Sequence, residues 1–169
     1  MSKNKIDLSH KIIIVSVIII CFILVIFTIA INSKKGFDIN YYNDNGIKFN
    51  YDNTFRLNKN KEYIELINND NSAVIAIKKM EYSYDLNYDN ASSIAYQIIS
   101  KDGTYNKIYD NYENNKYYFL YEDYDKGRQI EIIEIQKEDY LYLLVFEANS
   151  SEFDLFQESF DIIIDTFKV

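Results

Sequence analysis

Twenty consecutive residues, Ile12 to Ile31, read IIIVSVIIICFILVIFTIAI and carry no charge. A run of this kind satisfies its backbone polar groups in hydrocarbon only as a helix. At about 1.5 Å per residue it reaches roughly 30 Å, the thickness of a bilayer's apolar core. The stretch therefore predicts a membrane-spanning anchor. It divides the chain into a tail over 1–11, the anchor over 12–31, a linker over 32–45 and a domain over 46–169.

The flanks set the expected orientation. Lys3, Lys5 and Lys11 precede the stretch against one acid, Asp7, and Lys34 and Lys35 follow it. A short basic tail before a first apolar segment predicts a signal anchor with its N-terminus in the cytoplasm and the domain outside the cell. The alternative is a cleaved signal peptide, whose apolar region is shorter and ends in small residues. Thr28-Ile-Ala30 is a weak version of that ending, with a cut after Ala30, and the length of the run favours retention. Cys21 lies inside the run behind three isoleucines, which reads as a buried thiol in a helix and not as a lipid attachment site.

Charge narrows the partners. The chain holds 18 basic and 26 acidic residues. Setting aside the five lysines before residue 36 and Asp7 leaves the outer domain at about −12. Such a domain repels nucleic acid and anionic lipid heads, so no nucleic-acid partner is expected. The only cysteine is Cys21 and the only histidine is His10. The domain therefore has no disulfide and no Ser-His or Cys-His pair, and its stability must come from its core. Nothing in the sequence calls for a cofactor, and the expectation is a protein that is not an enzyme.

The domain reads as α+β. Residues 32–45 are polar and predict a stalk. Gly46 to Tyr51 alternates apolar and polar residues, the pattern of a half-buried strand. Short strands follow at 55–57, 62–67 and 73–79, forming an opening meander. Asp89 or Asn90 then caps a predicted helix whose Ala91, Ile94, Ala95, Ile98 and Ile99 share one face. Gly103 is its expected stop. Four further strands are predicted at 106–109, 116–124, 128–136 and 140–147, with Asp125-Lys-Gly127 as a hairpin turn. Ile130 and Ile132 oppose Ile133 and Ile135 in parity, so that strand either bulges or is buried on both faces. The last strand, apolar throughout, is expected at the sheet's centre. A closing helix carries Phe153, Phe156, Phe160, Ile163 and Phe167 on one stripe, behind a Ser151/Asp154 capping box.

Three stretches resemble the Mog1/PsbP-like superfamily, including its small exported bacterial members. Gly46 to Leu57 is similar to its opening, Asp139 to Leu144 to its late strand, and Phe153 to Lys168 to its closing helix. The chain departs at Asp52, where the family commonly has Pro, and at Phe55, where Trp is frequent. The resemblance implies an antiparallel sheet packed with two helices and a role in binding or assembly. It transfers no functional residue.

The candidate sites are few. Asp85, Asn87 and Asp89 match the first ligands of an EF-hand loop, but Asn90 and Tyr96 stand where that loop needs Gly and Glu, so a helix cap is the expected role. Acid pairs suitable for a hydrolase are inevitable among so many acids and single out nothing. Tyrosines are more suggestive. Tyr82, Tyr84 and Tyr88 precede the first helix, and Tyr117, Tyr118, Tyr121 and Tyr124 stripe one hairpin. Exposed tyrosines stack on sugars and anchor interfaces, so Tyr82, Tyr84, Tyr88, Tyr121 and Tyr124 are the candidate binding residues. The expected function is a membrane-anchored, non-catalytic module that binds or assembles a cell-envelope component, with an envelope protein as partner. The alternatives are a cell-wall glycan module using the tyrosines and an acid-pair hydrolase.

Overall fold

The structure is a computed structural model that describes residues 38–59, 62–100 and 104–169. The anchor, the tail with His10, Cys21 and the Gly103 stop lie outside the described residues. Neither described helix is long and apolar enough to cross a membrane.

Nine strands and two helices follow in the order β1 (Ile39–Asp44), β2 (Ile47–Asp52), β3 (Phe55–Lys59), β4 (Ile64–Asn68), β5 (Ala73–Glu81), α1 (Tyr88–Ile99), β6 (Asn106–Glu113), β7 (Lys116–Asp123), β8 (Arg128–Lys137), β9 (Tyr140–Asn149) and α2 (Phe153–Thr166). Seven strands form one antiparallel sheet in the order β3-β4-β5-β9-β8-β7-β6. The chain builds one half as a meander and crosses with α1 to the far edge. It then returns strand by strand until β9 closes against β5. The apolar β9 is the fourth of seven, as its sequence predicts.

Parity along β8 and β9 sorts the core into two layers. Ile133, Leu144, Phe146 and Ala148 join the cluster that contains Phe153, Phe160 and Ile163 of α2. Ile130, Ile132 and Phe119 join Ala91, Ala95 and Ile99 of α1. A helix thus covers each face. The β8 register runs unbroken on both sides, so burial on both faces explains its four isoleucines. The one register shift among the described pairings of this sheet lies in the edge strand β6, between Lys107 and Tyr109.

Several expectations are corrected. The segment read as a linker contains β1, and Asn45-Gly46 turns it into β2 with φ of 51° and 81°. That dipeptide is the favoured two-residue hairpin turn, because both positions need φ above zero. β2 therefore pairs with β1 and not with the opening meander. The hairpin joins the α2 side, where Tyr42, Ile47 and Phe49 enter the core and Lys48 exchanges two backbone hydrogen bonds with Lys168 at 2.9 and 2.8 Å. The cap of α1 is Asn87, whose side chain accepts from the Asn90 amide, two or three residues earlier than expected. At α2 the N-cap is Glu152, with no side-chain bond, so the Ser151/Asp154 box does not form. Phe167 lies past the helix in extended backbone and still packs its ring near Phe49.

Candidate functional site

Around α1 and along the β6 edge the protein leaves large side chains in solvent, Tyr109 among them on the opposite face from α1, level with Leu120. Tyr84, Tyr88, Tyr96, Ile108, Tyr109 and Tyr112 are all exposed. The reason is geometric. α1 buries only Ala91, Ala95 and Ile99, a narrow stripe at four-residue spacing. One position ahead on the helix, Tyr88, Ser92 and Tyr96 repeat at the same spacing and border a groove of about 530 Å3 between the helix and the β6–β7 edge. Tyr121, at 4% exposure, contributes to this groove from the sheet.

Polar contacts fix the groove's mouth. The Tyr88 hydroxyl donates to Asp110 Oδ2 at 2.6 Å and accepts from Lys107 Nζ at 3.0 Å, and the same ammonium pairs with Asp110. Hydrogen bonds from Lys107 and Tyr88 hold the Asp110 carboxyl below its usual range, and those to Asp110 and Tyr88 raise Lys107. The cation is therefore committed within the protein. Burial raises the Tyr121 phenol.

The five candidate tyrosines do not form one site. Tyr88 and Tyr121 line the groove described above. Tyr82 and Tyr84 sit edge to face at 6.1 Å and line a separate hollow of about 290 Å3 with Asn90, Ser93 and Ile94. Tyr124 stands exposed in the β7–β8 turn and lines neither. Tyr121 is a buried side chain on the sheet and not a surface platform, because its strand parity points it under α1. Tyr96, which sequence reasoning passed over, is 61% exposed. Its signal was the i, i+4, i+8 row from Tyr88.

Two carboxylates are perturbed. Glu134 is fully buried on β8, with neither oxygen hydrogen-bonded, and burial pushes it up to about 8. Two residues on, Gln136 accepts from the Leu86 amide and donates to the Tyr84 carbonyl, both at 2.7 Å, and so ties the chain entering α1 to the sheet. Glu131 is raised to about 7 by burial and by the Asp161 charge. Residues 131 and 134 differ in parity, so the two acids face opposite sides of the sheet and cannot act on one substrate as a pair. Asn87 of the EF-hand-like triplet is engaged as the α1 cap. Among the described residues no three His, Cys, Asp or Glu side chains gather as metal ligands.

No family model matches the chain, and no curated protein matches it in sequence. Solved structures do. The chain is similar to cyanobacterial PsbP (CyanoP) from Synechocystis, with a TM-score of 0.59 at 15% identity over 78% of this chain and 92% of that one. It is also similar to LpqN of Mycobacterium tuberculosis, described as involved in cell envelope biogenesis, with a TM-score of 0.51 at 11% identity over 81% and 94%. The fold is PsbP/Mog1-like, as the three sequence stretches implied.

Proposed function

We propose that this chain is a membrane-anchored extracytoplasmic module that binds a component of the cell envelope and holds it at the membrane surface without chemical conversion. The observation that carries the reading is the asymmetry of exposure. Among the described residues, six of the eleven exposed large aromatic or aliphatic side chains stand around α1 and along β6, whereas the other five are scattered over β1, β5, the β7–β8 turn and α2. Exposed apolar surface concentrated in one region marks an interaction site. Two observations support the setting: the uncharged Ile12 to Ile31 stretch, and the fold shared with a protein described as involved in cell envelope biogenesis.

A photo-crosslinking residue placed at Ile108 and, in a second variant, at Leu155 tests the reading in intact cells. Both positions are exposed, and Leu155 lies on α2. The expected result is a discrete adduct from Ile108 and none from Leu155. Adducts from both or from neither would count against the proposal. Topology is tested with a cysteine introduced at Ser93 and an impermeant thiol reagent. Labelling of intact cells is expected, and labelling only after lysis would reverse the orientation.

A further inference from the structure

The groove beside α1 has a chemistry that selects among ligands. Its helix wall is the row Tyr88, Ser92, Tyr96, two turns long, so the two tyrosine Cα positions are offset by about 12 Å along the helix. That distance suits a chain of linked rings better than a single small molecule. The electron-rich face of a tyrosine attracts the C–H-lined face of a sugar ring. At Tyr88 the hydroxyl is held by Asp110 and Lys107, whose ammonium lies 5.6 Å from the ring centroid, so the sugar meets the ring's remaining exposed surface. Between and beside the rings, Ser92 supplies a hydroxyl and the exposed Asp89 an acceptor-only carboxylate. Both match the hydroxyl edge of a polyol.

The groove's polar groups and charges disfavour anionic and purely apolar ligands. Among the described residues Lys107 is the one cation bordering the groove, and Asp110 and Tyr88 already occupy it. An anionic chain would meet Asp89 and a domain of net charge about −12, with no uncommitted cation among the described residues of this wall. A purely apolar ligand would strand the serine and the carboxylate beneath it.

We propose that this groove binds a stretch of uncharged oligosaccharide, stacked on Tyr88 and Tyr96 and hydrogen-bonded by Ser92 and Asp89. The proposal rests on the binding-module reading and names its ligand class. It also moves the sugar-stacking role away from Tyr84, which lies in a different hollow, and from Tyr121, which reaches this groove only as a side chain buried on the sheet.

Titration calorimetry on the full chain, in a detergent without a sugar headgroup, tests it with tetra-N-acetylchitotetraose, cellotetraose and maltotetraose, and with sulfated chitotetraose as the anionic comparator. At least one neutral tetrasaccharide is expected to bind, and more tightly than the sulfated one. Tyr96→Ala is expected to weaken that binding roughly three- to tenfold, the loss of one stacked ring. Tyr96→Phe, which keeps the ring, is expected to retain it. Tyr96 is 61% exposed, so its truncation leaves the core intact. Silence with all three neutral sugars would overturn the proposal, as would preference for the sulfated chain or an unchanged affinity in Tyr96→Ala. A protein adduct from Ile108 combined with silent calorimetry would end the sugar assignment and leave the binding-module reading standing.

Discussion

Under α2, Phe146 meets Phe160 at 4.6 Å between ring centroids, Phe153 meets Phe160 at 5.6 Å, and Tyr42 stacks on Phe49 at 4.8 Å. Under α1, the helix brings two alanines and an isoleucine to Phe119, Ile130 and Ile132, and a fully buried carboxylic acid lies on the same side. The first face gathers aromatic mass from α2, the hairpin and the sheet. The second is thin, and its large side chains point outward. Stability concentrated on one face leaves the other free to present tyrosines, since a helix held by a narrow stripe keeps its flanks for contact.

The comparison is broken most directly at Phe160, which is fully buried between Phe146, Phe153 and Phe156. Phe160→Ala is expected to cost about 3–5 kcal/mol in urea unfolding followed by circular dichroism. A loss below about 1 kcal/mol would mean that the α2 face is not the main store of stability.

Next in size is Glu134, which tests whether the α1 face carries a built-in cost. Its folded pKa, about 8, lies above the ordinary 4.5, so the unfolded chain gives up the proton first. Stability from this group is complete below about pH 4.5 and falls as pH rises toward 8, where the folded form ionises. The loss by pH 7 is on the order of 3 kcal/mol. Glu134→Gln is expected to match the parent at pH 4 and to exceed it increasingly up to pH 8. Parallel stability curves for the two proteins would show that the carboxylate finds a partner in solution. A smaller change tests the thinness of the layer itself. Ala95 is fully buried against the sheet, and Ala95→Leu is expected to destabilise by about 1–3 kcal/mol through overpacking. A neutral result would reveal slack beneath α1.

How much of this was readable beforehand follows from what is local. The apolar run of β9 and the opposed isoleucines of β8 announced a centre buried on both sides, because strand parity is a local property. The Asn45-Gly46 turn is equally local, yet composition divides it between a polar stalk ending at Asn45 and a strand opening at Gly46, which hides its dipeptide geometry. Tyr121 and Tyr84 show the other limit. Parity says that Tyr117 and Tyr121 share a face, but only the crossing of α1 decides that this face is covered. The groove joins residues from 88 to 121 across that crossing, so its membership is a tertiary fact. Glu134 was invisible for the same reason, since one charge among apolar neighbours on a strand looks like a solvent-facing position until both faces are found occupied.

The smallest expected effects compare how each helix begins. Asn87 caps α1 through its side chain, satisfying the Asn90 amide at 3.0 Å, whereas α2 starts at Glu152 without such a bond. A helix anchored by a narrow apolar stripe depends more on its cap than one held by four buried residues, three of them apolar, and the neighbouring Phe156 and Phe167 rings. Asn87→Ala is therefore expected to cost about 1 kcal/mol, and Ser151→Ala, at the position where the sequence suggested a capping box, within about 0.5 kcal/mol. Amide hydrogen exchange separates local from global consequences. In Asn87→Ala, faster exchange should be confined to the first turn of α1 and the Leu86 amide latched by Gln136, because the α2 layer holds the rest of the sheet independently. If exchange instead rises equally in both helices, the two faces form one cooperative unit and the division of labour between them fails.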